Sequence, residues 1–139
     1  MKTHLSLSTR DLDASVKFYR TLLAADPAKH YDDYALFLTY EPALELALSR
    51  DPDTKVSSDA HYGIAVDAPD AVEFAIDRLR AAGLAVDVET GETCCYARQD
   101  KVWATDPDGR RWETYYVIEE TAERNGGDMS CCGGDGDGD

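Results

Sequence analysis

The sequence predicts an α+β fold built from two β-α-β-β-β modules, and three observations carry that reading. A strand-like run, an amphipathic helical run and three further extended runs follow one another within residues 1–50. The same order returns within residues 60–118, after a polar, aperiodic linker at 51–59 that contains Pro52 and two serines. Each module has one helix, which covers one face of its sheet and leaves the other bare, so two modules are expected to pair around a cavity lined by residues pointing away from the helices. The expected organisation is one domain over residues 1–120, followed at 121–139 by a disordered acidic tail rich in glycine and aspartate, with two cysteines.

In the first strand, from His4, Leu5 and Leu7 take the helix side while His4 and Ser6 face the cavity. Asp11 suits a helix N-cap, and Leu12, Val16, Tyr19 and Leu23 recur behind it at helical spacing. Extended runs follow at 28–30, 34–39 and 43–49, the last alternating Leu44, Leu46 and Leu48 with Glu45 and Ala47. The second module opens with a strand over 61–66, where Tyr62, Ile64 and Val66 face the helix and His61, Gly63 and Ala65 face inward. A helix over 69–82 has Pro69 in its first turn, Val72, Ile76 and Leu79 on one face, and Gly83 as the expected C-cap. Runs at 84–88, 101–105 and 111–117 complete the module. Asp106-Pro107-Asp108-Gly109 reads as a hairpin turn, with proline fixing φ and glycine free to take positive φ. On the closing strand Trp112, Thr114 and Tyr116 form the outer set, leaving Glu113 and Tyr115 inside.

At 139 residues and 43% hydrophobic content the chain can bury a core, and no apolar run has the length of a membrane span. The strand pattern begins at once, leaving no room for a signal peptide, so the expected location is the cytoplasm. A net charge of −14, spread along the whole chain, disfavours nucleic acid as a partner. The four cysteines form two adjacent pairs, Cys94-Cys95 and Cys131-Cys132, which fit neither zinc-ribbon spacing nor a C-x-x-C redox motif. In a reducing compartment they are expected to remain thiols.

Taken singly, a strand histidine is usually a hydrogen-bonded core or surface residue. Here His4 and His61 both stand at the start of their module's first strand and point away from the apolar face, and Glu113 points inward from the closing strand. Two histidines and one carboxylate with open positions suit non-haem Fe(II), although manganese, zinc or nickel can use similar ligands. Glu45 aligns with Glu113 in the repeat and is either a fourth ligand or a charged residue near the cavity mouth. Neighbouring residues in a regular strand point to opposite faces, so a thiol pair acting together is expected in a loop, for which the polar run 89–93 leaves room. Arg98 and Lys101 are candidate cations to favour the thiolates.

The chain resembles the vicinal oxygen chelate superfamily of glyoxalases, fosfomycin-resistance enzymes and extradiol dioxygenases over residues 1–118. More narrowly, residues 1–7, Asp11-Leu12, Phe18-Tyr19, Thr93-Cys94-Cys95-Tyr96-Ala97, Gln99-Asp100-Lys101-Val102-Trp103 and Asp106-Pro107-Asp108-Gly109 are similar to the carbon–arsenic lyases of organoarsenical resistance. That resemblance implies an Fe(II)- and oxygen-dependent enzyme that demethylates methylarsonous acid, with metal ligands His4, His61 and Glu113 and arsenic bound by Cys94 and Cys95; Tyr115, turned inward by strand alternation, is a candidate auxiliary residue. The charge and the lack of a span-length apolar run lead to no expected nucleic-acid or membrane partner, and the expected state is a monomer or homodimer. Two rivals stand beside it. A glyoxalase-like lyase gains ground if Glu45 ligates the metal. A non-enzymatic thiol scavenger of arsenic or cadmium, similar to cadmium-induced members of the superfamily, gains ground from the second thiol pair, Cys131-Cys132.

The charge also has a consequence for stability. Screening at about 1 M salt shortens the Debye length to about 3 Å and removes most of the self-repulsion of a chain carrying −14. Thermal unfolding followed by circular dichroism is therefore expected to shift to higher temperature between low-salt buffer and molar KCl, as in a protein from a salt-loving host. A protein most stable at low salt would contradict this.

Overall fold

The computed structural model describes residues 1–94, 96–120 and 122, with the backbone alone for 92–94. In chain order the elements are β1 (Thr3–Thr9), α1 (Leu12–Leu23), β2 (Lys29–His30), β3 (Tyr34–Tyr40), β4 (Ala43–Arg50), β5 (His61–Ala65), α2 (Pro69–Ala81), β6 (Asp87–Cys94), β7 (Ala97–Thr105) and β8 (Arg111–Glu120). They build two four-stranded sheets of identical connectivity, β1-β4-β3-β2 and β5-β8-β7-β6. In each, the helix carries the chain to the far edge, and a meander works back until the last strand lies parallel to the first. This is the expected α+β class, with β-α-β-β-β occurring twice. The chain divides into two compact units, residues 1–56 with 106–109, and 57–105 with the residues from 110 onward.

In the first unit, α1 begins as the sequence predicts, with the Asp11 carboxylate accepting from the Ala14 N–H at 3.1 Å. Asp13 in the first turn and Arg20 in the last suit the two ends of the helix dipole. Leu12, Val16, Tyr19 and Leu23 are all buried, and α1 packs on β3 and β4, where Phe37, Leu46 and Leu48 are fully covered. Leu7 is buried on β1 while His4 and Ser6 are exposed, so the expected alternation holds.

In the second unit, Val72, Ala75 and Leu79 bury the inner face of α2. Tyr62 and Trp112, paired across β5 and β8, stack with ring centroids 5.0 Å apart. Gly83 is not the C-cap. Ala82 is, and Gly83 follows it at φ +79°, the position past the helix end where a left-handed residue lets the chain turn away and where glycine is least strained. The greatest difference lies in the next strand. The apolar run at 84–88 predicts a strand there, but β6 covers Asp87–Cys94. It is an edge strand, so its polar residues need satisfy only one neighbour, and the register shift between Glu89 and Glu92 accommodates Gly91 at φ +65°. The Gly91 N–H, turned out of the ladder, donates to the Asp100 carboxylate at 2.7 Å. β7 and β8 are correspondingly longer than expected, pairing as far as Ala97 with Glu120. Apart from Ala122, the expected tail at 121–139, with Cys131 and Cys132, lies outside the described residues.

The Asp106-Pro107-Asp108-Gly109 segment is the expected turn between antiparallel strands, closed by Gly109 N–H donating to Asp106 O at 3.0 Å with Gly109 at φ +102°. It belongs to the first unit. Tyr19 Oη donates to Asp106 Oδ2 at 2.6 Å, and the Arg10 N–H donates to Asp108 Oδ1 at 2.9 Å. Both carboxylates are buried, so their bonds carry more weight than surface contacts of the same length. Tyr19→Phe deletes one donor to a buried carboxylate and is expected to cost about 1.5–3 kcal/mol. A thermal melt of the full chain should show this as a fall of several degrees, whereas an unchanged midpoint would contradict it.

Candidate functional site

The second unit places a set of polar and aromatic side chains on one sheet face. Three cross-strand rows explain it. Thr105, Arg111 and His61 are register partners across β7, β8 and β5; Trp103, Glu113 and Gly63 form the next row; Lys101, Tyr115 and Ala65 form the third. Residues opposite one another share a face, and the diagonal neighbours are within reach of long side chains. Glu113 occupies the middle of this pattern and is reached diagonally from both sides. Its Oε2 lies 3.0 Å from His61 Nε2, and its Oε1 accepts from Lys101 Nζ at 2.9 Å.

Burial makes this arrangement unusual. The side chain of Lys101 is 1% exposed and that of Glu113 9% exposed. Neither charge would be stable there alone. The ammonium also lies 5.5 Å from the Trp103 ring centroid and 5.8 Å from that of Tyr115, within the range where aromatic faces stabilise a cation. Gly63 provides the room: a Cβ there would stand 3.0 Å from Tyr115 Cε1 and 3.1 Å from Glu113 Cγ. A side chain at 63 would have to displace the carboxylate stem or the tyrosine ring.

Sequence reasoning brought His61 and Glu113 to this face but overlooked two of their neighbours. Trp103 meets the His61 ring edge-on at 5.3 Å, and the Arg111 guanidinium lies over the Trp103 face at 4.1 Å with Nη1 buried and lacking a hydrogen-bond partner. The signal was present. Alternation along β7 and β8 puts Trp103 on the same side as Lys101, and Arg111 on the same side as Glu113.

The first unit holds His4 and Glu45, which are register partners across β1 and β4. His4 Nδ1 lies 3.2 Å from Glu45 Oε1, with the two side chains 57% and 44% exposed. The repeat therefore needs a correction. Glu45 and Glu113 correspond, but the register partner of Glu113 is Gly63, so His61 sits two residues earlier on its strand than His4 does on its own. A two-residue offset preserves the face, which is why alternation alone could not reveal it.

The two cations expected beside the thiols each have a carboxylate partner. Lys101 bonds Glu113, and Arg98 Nε donates to Glu119 Oε2 at 2.9 Å. Cys94 is not in a loop but ends β6 opposite Ala97, while Cys95 lies outside the described residues. Among the described residues no three His, Cys, Asp or Glu side chains gather as a ready-made metal set. The His61 and Glu113 donors nevertheless suit a divalent metal. Bonds of about 2.1 Å to adjacent corners of a coordination sphere put two donors about 3 Å apart, and these two are 3.0 Å apart.

Comparison with known proteins places the molecule. The family model of the Glyoxalase/Bleomycin resistance protein/Dioxygenase superfamily matches residues 3–114. Cadmium-induced protein CadI of Mycobacterium tuberculosis is 42% identical over 120 residues, covering 86% of this chain and 78% of that one. A trivalent organoarsenical cleaving enzyme of Thermomonospora curvata is 38% identical over 133 residues, covering 94% and 87%. Among solved structures, a glyoxalase/bleomycin resistance protein/dioxygenase from Alicyclobacillus acidocaldarius has a TM-score of 0.70 at 21% identity, covering 86% of this chain and 92% of that one. The fosfomycin resistance protein FosX of Listeria monocytogenes has a TM-score of 0.66 at 16% identity, covering 84% and 92%. With the two sheets, their shared connectivity and the match over most of its length, the chain belongs to the Glyoxalase/Bleomycin resistance protein/Dioxygenase superfamily, the vicinal oxygen chelate fold.

Proposed function

We propose that this protein cleaves the carbon–arsenic bond of trivalent organoarsenicals such as methylarsonous acid, using Fe(II) and molecular oxygen, with arsenic released as arsenite and the methyl carbon, which oxygen oxidises, released as an oxidised one-carbon product. The observation that carries the reading is Glu113, a buried carboxylate with one oxygen directed at His61 Nε2, in a family whose members generally bind divalent metals. Relatives named for the cleavage of trivalent organoarsenicals, from Thermomonospora curvata and a Bacillus strain, support the substrate class.

His61, Glu113 and His4 would hold the metal. Glu45 would fix the orientation of His4 by accepting from Nδ1–H and leaving Nε2 as the donor nitrogen, the usual relation between a ligating histidine and an outer carboxylate. In the glyoxalase-like alternative Glu45 is itself a ligand. Iron, when bound, supplies the redox chemistry with oxygen that the side chains lack.

Cys94 and Cys95 would capture the substrate. Methylarsonous acid carries two exchangeable hydroxyls and one methyl on trivalent arsenic. Two thiols can displace both hydroxyls as water, forming two As–S bonds and leaving the As–C bond as the remaining substituent. Capture converts a bimolecular encounter into a positioned one.

The relatives named cadmium-induced favour a second reading, a thiol scavenger that binds soft metals or arsenicals without turnover. Arsenic speciation after mixing Fe(II)-loaded protein with excess methylarsonous acid in air separates the two, provided low and high salt are both tried. The expected outcome is several equivalents of arsenite per chain, dependent on iron and oxygen. In Cys94→Ala/Cys95→Ala that rate should fall by about 100-fold or more while iron remains bound. Stoichiometric binding without arsenite would establish the scavenger instead.

A further inference from the structure

Lys101 belongs to neither ligand set and is almost completely buried. Removing an ammonium from water costs several kcal/mol, so its place against Glu113 calls for an explanation. Neutralising the carboxylate accounts for the metal-free protein alone. With a divalent cation at Glu113 the carboxylate is already compensated, and the ammonium becomes a like charge beside the metal. A site selected only to hold metal tightly would place a neutral donor there.

The geometry indicates what the ammonium contributes. The two carboxylate oxygens of Glu113 have different partners: Oε1 accepts from Lys101 Nζ at 2.9 Å, and Oε2 faces His61 Nε2 at 3.0 Å. The stem is flanked at Gly63 by contacts that a single Cβ would make too close. Carboxylates bind divalent cations through one oxygen or through both, and the second mode uses a coordination position that a reactant could otherwise occupy.

We propose that Lys101 is a positioning residue that restricts Glu113 to one ligating oxygen, Oε2, keeping a coordination position open and lowering metal affinity as a consequence. The inference rests on the reading of Glu113 as a metal ligand, and its test distinguishes the failure of each. Co(II) serves as the probe because its visible absorption reports coordination number. In the full chain, Lys101→Met keeps the unbranched length while losing charge and donor. It is expected to bind Co(II) about tenfold more tightly, since the repulsion is gone and the metal-free state has lost its counter-charge. Its visible band should weaken as Oε1 joins the metal. Lys101→Arg, which keeps a cation and donors, should stay closer to the native affinity and spectrum than Lys101→Met.

A measurement on the native chain removes any dependence on how the Lys101 variants fold. Infrared difference spectra, Co(II)-loaded minus metal-free, should show widely separated carboxylate stretches typical of one-oxygen ligation, absent in Glu113→Gln. Closely spaced stretches in the native protein, or a Lys101→Met variant with unchanged affinity and spectrum, would overturn the role of Lys101 while leaving Glu113 a ligand. Native Co(II) affinity in Glu113→Gln would remove the ligand reading itself, and the proposal with it.

Discussion

A carboxylate buried in the middle of three strands is the constraint on which the second unit depends. Glu113 has Trp103 and Gly63 as its register neighbours, a lysine reaching it along one diagonal and a histidine along the other. Each neighbour answers a physical demand. Lysine supplies the opposite charge, glycine supplies volume, and histidine gives the second oxygen a partner. Removing one member of a buried ion pair commonly costs about 3–5 kcal/mol, because the other charge is left unpaired in a poor solvent. An arrangement with that liability is weak support for stability and stronger support for a site.

The two units use the same connectivity for different ends. In the first, His4 and Glu45 form an exposed pair whose strength is limited by water. In the second, the corresponding carboxylate is buried, and its histidine is displaced by one pleat. The duplicated ladder fixes which strands adjoin, but burial and register decide what the matching side chains can do. Family membership therefore does not by itself choose among carbon–arsenic lyase, thiol scavenger and glyoxalase-like lyase, since one scaffold supports many chemistries.

Much of this was legible in the sequence because helices and half-buried strands announce themselves by period. The stripe Leu12, Val16, Tyr19, Leu23 and the alternation around His61 and Glu113 located their elements and faces. Edge strand β6 was not legible from 84–88 because an edge needs one ladder of backbone bonds rather than two apolar faces, and Gly91 with Asp100 supplies the irregularity. The contact of Lys101 with Glu113 was hidden for a different reason. It lies seven residues from Cys94 in the chain, and its contact with Glu113, twelve residues on, follows from strand register rather than from any local pattern. The anchoring of Asp106 by Tyr19 joins residues 87 apart in sequence and lay beyond any local pattern.

The central claim is that nitrogen and oxygen donors hold the metal while the thiols are left for arsenic. X-ray absorption at the iron edge of the Fe(II)-loaded full chain, without substrate, tests that division most directly. The expected first shell contains nitrogen and oxygen scatterers, including the outer-ring signature of imidazole, and no sulfur. Sulfur in that shell would contradict the claim, since the cysteines would then be metal ligands and a soft-metal binding role would take its place.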